Sequence, residues 1–363
     1  MSLPRVTRRQ VVLGLMAASA LGGCAVAGRP RAASGRFLHG VASGDPGADS
    51  VVIWTRVTPP EPAVVEVTWE VATDPGFERI VRRGTTVTAD EIDYTVKAVV
   101  ESLQPGTTYH YRFRVGDVSS PVGRTRALPA ADAARARLAV VSCSHYSFGH
   151  YNVYREIAAL EQLDAVVHLG DYIYESSADG SGSDYGAERG RQLGRVHDPA
   201  HTAVTLDDYR GRYAQYRGDA DLQAVHARHP FILVWDDHEL ANDAWSDGAQ
   251  AHDVATQGSF RARRDAALQA LLRTAAGART GLRAGAASRS TVATISAGSR
   301  PCTCSTAGSA AARNSSITTT TCIWQAAAFD QQPGSAGAGY GRRCARRVAG
   351  CGQGRVPDSV RRS

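Results

Sequence analysis

Three short apolar runs, each followed at once by polar side chains, constrain the fold of this sequence more than any other feature. The runs are Leu138 to Val141, Ala165 to Leu169 and Phe231 to Trp235. Uninterrupted apolar runs of this length are typical of strands that are buried on both faces of a parallel sheet. The residues between the runs have helical periodicity, as Val153 and Ile157 illustrate. This alternation of strands and helices predicts an α/β layer.

Residues that can bind metals follow all three runs. The first run leads into Ser142 to His145, the second into Gly170 to Glu175, and the third into Asp236 to Glu239. Because ligands bind at the carboxyl ends of the strands in α/β sheets, we expect these segments to meet at one site. The next segment, Ser176 to Pro199, is rich in Gly, Ser and Asp and is predicted to be a long loop, either a functional lid or a surface excursion.

The residue types in these segments suit the hydrolysis of a phosphate ester. That reaction needs neutralisation of negative charge and a nucleophile at neutral pH, and a cluster of multivalent cations supplies both. Asp171 can bridge two cations with its two oxygens, and Tyr174 lies three residues further on. A Tyr174 phenolate and a Cys143 thiolate favour a trivalent, iron-like ion over magnesium.

Each of these residues taken alone has a simpler interpretation. A single buried cysteine such as Cys143 is usually a small apolar residue, an aspartate after glycine such as Asp171 usually lies in a turn, and His238 is compatible with a surface position. Their occurrence together at successive strand ends favours the site. Residues with weaker support are interpreted as structural or as helix core: His145, His168, His197, His201 and Tyr209.

Residues 36–130 have a different pattern, of short β-branched runs separated by turn residues. Apolar residues at alternate positions from Val65 to Val71 have the period of a half-buried strand. The segment Leu103 to Tyr109 resembles the corner of fibronectin type III sandwiches, in which the tyrosine hydroxyl binds back to the backbone. We therefore expect an N-terminal fibronectin III-like β-sandwich, followed by the α/β domain.

Several segments, in order along the chain, resemble motifs of the PhoD-like alkaline phosphatase family. They are Val41 to Pro46 with Val52 to Arg56, Ser142-Cys143, His168 to Glu175, Tyr209-Arg210, and Trp235 to Glu239 with Asn242. The resemblance covers residues 36–270. It implies a β-sandwich in front of a calcineurin-like metallophosphatase domain, and a phosphodiesterase or alkaline phosphatase that uses Fe³⁺ and Ca²⁺.

The resemblance also implies roles for individual residues. Cys143, Asp171 and Tyr174 would bind iron, with Asp171 also facing calcium. Asp237 occupies the position where general metallophosphatases have asparagine in a Gly-Asn-His-Asp/Glu motif, and His238 corresponds to the histidine that contacts phosphate. The sequence does not decide which of Asp236 and Asp237 faces the metal. The predicted catalytic residues are His238 and Asp237, and the predicted metal ligands are Cys143, Asp171, Tyr174, Asp236 and Asp237.

Residues 1–35 are predicted to be a twin-arginine export signal. Arg8 and Arg9 precede an apolar stretch from Val11 to Leu21, which is too short to cross a bilayer, since that needs about 20 residues. Cys24 follows a lipobox-like sequence, so lipidation of Cys24 and ordinary cleavage nearby are both open. The protein is expected to use the twin-arginine export machinery, to be periplasmic or extracellular, and to contact the membrane only if Cys24 is lipidated.

The sequence beyond Ala270 departs from the family pattern and from ordinary globular composition. Residues 271–363 contain 13 arginines, no lysine, no glutamate and only two aspartates. They also hold five of the seven cysteines, which favours translation of a GC-rich gene in a shifted frame over a basic disordered tail. This tail accounts for the net charge of +6, because the other residues are net negative. We therefore do not expect nucleic-acid binding.

The predicted organisation has four parts: a signal peptide at 1–35, the sandwich at 36–130, a partial catalytic domain at 137–270, and a non-native or disordered tail at 271–363. Without the late Gly-Asp-x-His motif of the family, the α/β domain would be incomplete and expose a sheet edge and a core face. The expected function is an exported phosphoesterase that hydrolyses phosphate mono- or diesters by metal-activated hydroxide, impaired by its C-terminus. The alternatives are a purple-acid-phosphatase-like enzyme, which shares the spacing of Asp171 and Tyr174, and an exported non-catalytic β-sandwich binding module.

Overall fold

Strands dominate the first part of the chain, and helices alternate with strands after it. The computed structural model describes residues 36–130, 133 and 136–277. The strands are β1 (Val41–Gly44), β2 (Val51–Arg56), β3 (Val65–Ala72), β4 (Ile80–Thr88), β5 (Thr95–Val100), β6 (Thr108–Val115), β7 (Val118–Ser119), β8 (Gly123–Arg126), β9 (Leu138–Val141), β10 (Ala165–His168), β11 (Pro230–Leu233), β12 (Ala244–Trp245) and β13 (Gly248–Ala249). The helices are α1 (Asn152–Ala159), α2 (Ala187–Leu193), α3 (Leu206–Arg217), α4 (Ala220–Arg228), α5 (Val254–Gln257) and α6 (Phe260–Thr274).

The first sheet of the N-terminal sandwich is antiparallel, with the order β4-β3-β6-β7 and with β8 also paired to β6. Its packing follows from the alternation of the sequence, because Tyr109, Tyr111 and Phe113 of β6 are buried and the residues between them are only partly buried. The Tyr109 hydroxyl accepts a hydrogen bond from the backbone N–H of Gln104 at 2.9 Å. This bond confirms the predicted corner.

The second sheet joins the sandwich to the α/β half, with the order β5-β2-β1-β11-β10-β9. Strand β2 is antiparallel to both of its neighbours, β5 and β1. Strand β1 pairs in parallel with β11, with Ser43 opposite Pro230. The two predicted domains therefore share one sheet, which the sequence analysis does not predict. This shared sheet fixes the sandwich against the strands that carry the candidate site.

Helices cover one face of the parallel strands. Ala139, Val166 and Phe231 point to this face and are buried in one core with residues of α1, α3 and α4. On the opposite face Val140 and Val167, which are paired across β9 and β10, are only partly buried. Ile232 of β11, which pairs with Val167, is buried on that face, so the prediction of strands buried on both faces holds for β11 and is met only in part by β9 and β10.

Helix α3 begins where the sequence predicts a capping signal. The Thr205 side chain accepts from the backbone N–H of Asp208, and the Asp208 carboxylate accepts from the backbone N–H of Thr205. This capping box satisfies two backbone donors that a helix N-terminus otherwise leaves open. Tyr209, Tyr213 and Tyr216 lie on the buried side of the helix, which confirms their interpretation as helix core.

Helix α6 passes through the predicted domain boundary and ends at Thr274. Side chains from other elements bind its last carbonyl groups, since Trp54 donates to the Arg273 oxygen at 2.8 Å and Arg217 donates to the Thr274 oxygen at 3.0 Å. These bonds occupy carbonyl groups that have no partner within the helix. The end of α6 is therefore packed against both β2 and α3.

Two predicted segments lie outside the residues that the structure describes. They are the export signal at 1–35, including Cys24, and residues 278–363 of the tail. Among the helices of the described part, none combines the length and the apolar character that crossing a bilayer requires.

Two buried histidines make the fold sensitive to acid. His168 and His229 have no exposed surface, and burial lowers the pKa of His168 to about 3 and that of His229 to about 4. The unfolded chain binds a proton at each histidine near pH 6.5, so stability is complete above that pH and falls as the pH decreases toward the folded values. At pH 5 we expect urea denaturation to show a free energy of unfolding lower by on the order of 2 kcal/mol for each histidine.

The variant His229→Gln is the matched control, because glutamine can still donate to the Ile157 carbonyl that His229 contacts at 3.1 Å. The free energy of unfolding of this variant should lose the pH dependence that His229 contributes and keep the part that His168 contributes. An equal change in the free energy of unfolding between pH 7 and pH 5 in His229→Gln and in the unmodified protein would contradict this interpretation.

Candidate metal centre

The segments after β10 and β11 meet at one edge of the sheet, and a buried glutamate holds them together. Glu239 accepts hydrogen bonds from the backbone N–H groups of Asp171 at 3.1 Å, Tyr172 at 2.5 Å and Asp236 at 2.8 Å. Burial raises the pKa of Glu239 to about 8, while these three donors favour the carboxylate. Glu239 belongs to a motif of the sequence analysis but has no role assigned there.

Two residues of the site have backbone conformations that are uncommon for residues with a side chain. Cys143 has φ 57° and Asp171 has φ 54°, in the left-handed region. The Cys143 N–H donates to the Gly170 oxygen at 3.1 Å, and the Ser144 N–H donates to the Asp171 oxygen at 3.0 Å. Gly170 permits the close approach of the next loop, because a Cβ there would lie 2.5 Å from the Asp236 nitrogen. Strained backbone that neighbours support in this way is common at functional sites.

Asp171 contacts two of the other predicted ligands. The Cys143 thiol donates to its Oδ2 at 3.4 Å, and the Tyr174 hydroxyl donates to the same oxygen at 3.2 Å. Burial raises the pKa of Asp171 to about 6. The second oxygen, Oδ1, is buried and has no hydrogen-bond partner within the described residues. Because such an oxygen is costly to bury, this donor set fits a bound cation.

A second group of potential ligands also includes Asp171. Ligand atoms of Asp171, Asp237 and His238 lie within 4.8 Å of one another. The backbone N–H of Asp243 donates to Asp237 Oδ2 at 2.5 Å, which orients this carboxylate. Asp236 is not one of these three residues. The arrangement therefore favours Asp237 as the metal ligand in the choice that the sequence leaves undecided.

His238 and Glu175 form an ion pair beside these ligands. His238 Nδ1 donates to Glu175 Oε2 at 2.8 Å, and the backbone N–H of Asn242 donates to Oε1 at 2.6 Å. Burial disfavours the charged form of His238, but the Glu175 carboxylate, together with Asp171 and Asp237, favours it and raises the pKa of His238 to about 10. Since Glu175 occupies Nδ1, the Nε2 atom is the nitrogen that can face a ligand. The sequence assigns no role to Glu175. The one feature that could have indicated a role is its position in the segment that contains Asp171 and Tyr174.

The histidines that are interpreted as structural have other surroundings. Burial lowers the pKa of His145, His168 and His197, which favours their neutral forms. His201 contacts the Asp208 carboxylate at 2.8 Å near the start of α3. The His145 ring lies 4.3 Å from the ring of Tyr174, so His145 is closer to the candidate centre than the sequence indicates.

A thiol, a phenol and carboxylates at the strand ends can bind multivalent cations, and a charged histidine can bind an anion, which is the equipment expected of a metal-dependent phosphoesterase. Comparison with known proteins agrees with this class. The family profile of the PhoD-like phosphatase N-terminal domain matches residues 23–129, and that of the PhoD-like phosphatase matches residues 138–274. Together the two profiles cover about two thirds of the chain, which therefore belongs to the PhoD-like phosphatase family.

Two relatives show how much of the family's length this chain contains. Alkaline phosphatase D of Bacillus subtilis (strain 168) is 43% identical over 241 residues, which are 64% of this chain and 40% of the relative. A solved structure of PhoD matches with a TM-score of 0.62 and 39% identity, over 70% of this chain and 49% of that one. The chain thus spans less than half the length of both relatives. The structural match confirms the predicted β-sandwich followed by an α/β domain.

Proposed function

We propose that this chain carries the site of a metal-dependent phosphoesterase that acts on phosphate mono- or diesters. The observation that carries the proposal is the contact of Asp171 with Cys143 and Tyr174, beside the ion pair of His238 and Glu175. Membership of the PhoD-like family and similarity to an alkaline phosphatase support the same chemistry. They favour it over a purple-acid-phosphatase-like enzyme, and the match of the α/β half disfavours a sandwich that acts alone.

The residues of the site suit the two proposed ions. A Cys143 thiolate, a Tyr174 phenolate and the Asp171 carboxylate would hold Fe³⁺. Asp171 and Asp237 offer the carboxylate oxygens that Ca²⁺ prefers, and Asp236 is a further candidate. When bound, these cations would neutralise the charge of the phosphate ester and lower the pKa of water, which gives a nucleophile near neutral pH.

His238 is the residue that we expect to contact the phosphate. Glu175 keeps it charged and fixes its ring through Nδ1, so that Nε2–H can donate to a phosphate oxygen. A charged donor at a buried site interacts more strongly with the developing negative charge than one in water does. His238 would thus stabilise charge on the phosphate, and Glu175 would position His238.

The proposal is tested by the visible spectrum of the iron-loaded protein. We expect a charge-transfer band from the Tyr174 phenolate on ferric iron and its loss in Tyr174→Phe, because phenylalanine has no oxygen to bind the ion. Tyr213→Phe is the matched control, since the Tyr213 hydroxyl is buried in the α3 core and has no hydrogen-bond partner in the described part of the chain. An unchanged band in Tyr174→Phe would place Tyr174 outside the metal site.

We further propose export through the twin-arginine machinery and a shifted reading frame beyond residue 270, which impairs the enzyme. The paired arginines at Arg8 and Arg9 and the composition of residues 271–363 support these two proposals. Cell fractionation of a variant with lysines at both arginine positions tests export, and retention of normal secretion would contradict it. The nucleotide sequence across codons 262–280 tests the frame, and the absence of a Gly-Asp-x-His segment in both alternative frames would contradict it.

A further inference from the structure

Tyr185 is the exposed member of an aromatic cluster beside the candidate metal centre. Its relative exposure is 40%, against 5% for both Tyr174 and His145. The Tyr185 ring lies 5.0 Å from the ring of Phe148 and 5.2 Å from the ring of His145, both in edge contacts. Tyr185 is therefore packed in part against the protein and exposed in part.

Tyr185 is close to the residue that is expected to contact phosphate. The rings of Tyr185 and His238 are nearly parallel, at 6°, with their centroids 6.5 Å apart. The Tyr174 ring lies 4.2 Å from His238 and 6.2 Å from Tyr185. A phosphate bound to His238 would consequently have the alcohol part of its ester within reach of Tyr185.

The segment that carries Tyr185 is held in place by buried contacts. The Tyr185 backbone oxygen accepts from the Ser176 hydroxyl at 3.1 Å. Gly186 has φ 81°, and a Cβ there would lie 2.6 Å from His145 Cε1, so the backbone packs directly on that ring. Helix α2 follows immediately, within the segment that the sequence predicts to be a loop.

Arg212 connects both ends of this segment to the centre. Its buried guanidinium donates to the Tyr174 oxygen, to the Ser176 oxygen at 3.1 Å and to the Pro199 oxygen at 2.7 Å. A ring on a segment with both ends fixed loses little additional freedom when a ligand packs against it. Tyr185 is thus arranged as a preformed surface.

We infer that Tyr185 forms the wall against which the alcohol group of the substrate packs, so that the site favours phosphate esters of aromatic alcohols over those of small aliphatic alcohols. The inference rests on the proposed function and defines its substrate class. Stacking of two aromatic rings stabilises a complex enough to change affinity by up to about tenfold beyond the burial of apolar surface. The phosphate itself would be bound by His238 and the metal ligands, whatever the alcohol.

Calorimetric binding of two non-hydrolysable probes to the metal-loaded full chain tests this inference. Phenylphosphonate should bind about tenfold more tightly than methylphosphonate. Tyr185→Ala should remove this preference by weakening phenylphosphonate binding alone. Tyr185→Phe should retain the preference, because it keeps the ring, and Tyr185→Leu should lose most of it, because it keeps only apolar bulk.

The outcomes separate this inference from the proposed function. If both phosphonates bind with equal affinity, or if Tyr185→Ala keeps the preference or weakens both probes equally, Tyr185 is not the wall and the phosphate site stands. If neither phosphonate binds to the metal-loaded chain, the proposed function fails and the inference fails with it.

Discussion

Asp171→Asn is expected to abolish iron binding and to lower the rate of phosphate ester hydrolysis by about 10³-fold, since the bound cations contribute several kcal/mol of charge stabilisation. The side chain of Asp171 contacts both of the other predicted iron ligands, Cys143 and Tyr174. Asparagine has nearly the same shape as aspartate, and it removes a buried carboxylate whose charged form burial already disfavours. The variant should therefore remain folded, which thermal unfolding of the metal-free protein would show.

The matched control for this variant is Asp207→Asn at the start of α3, where the side chain is 89% exposed. Elemental analysis of the purified proteins gives the iron content, and a chromogenic ester gives the rate. Asp207→Asn should match the unmodified protein in both measurements. Full iron occupancy together with a full rate in Asp171→Asn would exclude Asp171 from the centre.

Glu175→Gln is expected to lower kcat/KM by about 10²-fold and to leave the iron content unchanged. Burial disfavours the charged form of His238, and the Glu175 carboxylate is the first of the groups that favour it, ahead of Asp171 and Asp237. Glutamine preserves an oxygen for the Asn242 N–H but loses the charge, so the pKa of His238 would fall and its charged form would be less favoured. The separation of rate from iron content identifies Glu175 as a residue that acts through His238.

Glu188→Gln in α2 serves as the control for Glu175→Gln, because its side chain is 72% exposed and bonds to Arg191 and Gln192 of its own helix. It should have the kinetics of the unmodified protein. An unchanged kcat/KM in Glu175→Gln would show that His238 does not depend on the ion pair, and a loss of iron would show that Glu175 acts on the metal ligands instead.

The strands that carry the site could be predicted because their signal is local. Leu138 to Val141 coincides with β9, since an uninterrupted apolar run between turn residues has few alternatives to a buried strand. The parallel pairing of β1 with β11 could not be predicted, because Ser43 and Pro230 are distant in sequence and short strands carry no signal of their partner. The shared sheet that this pairing creates was missed for that reason.

The same distinction applies to the site. The proximity of Cys143, Asp171 and Tyr174 follows from the rule that strand ends share one edge of a parallel sheet. The roles of Glu175 and Glu239 depend on backbone N–H groups and a histidine that come from other loops, and the sequence does not show which donors will surround a buried carboxylate. The sequence leaves the choice between Asp236 and Asp237 open, because the side chains of two adjacent loop residues are oriented by the folded backbone, which the sequence does not show.

The measurement that tests the account most directly is the hydrolysis of p-nitrophenyl phosphate and bis(p-nitrophenyl) phosphate by the purified protein with its reading frame restored beyond residue 270, before and after chelation and after iron and calcium are restored. We predict measurable hydrolysis of at least one ester, its loss on chelation, and its return only when both ions are added. Hydrolysis that persists in the chelated protein, or a chain that binds both ions and hydrolyses neither ester, would contradict the assignment of a phosphoesterase centre at Asp171.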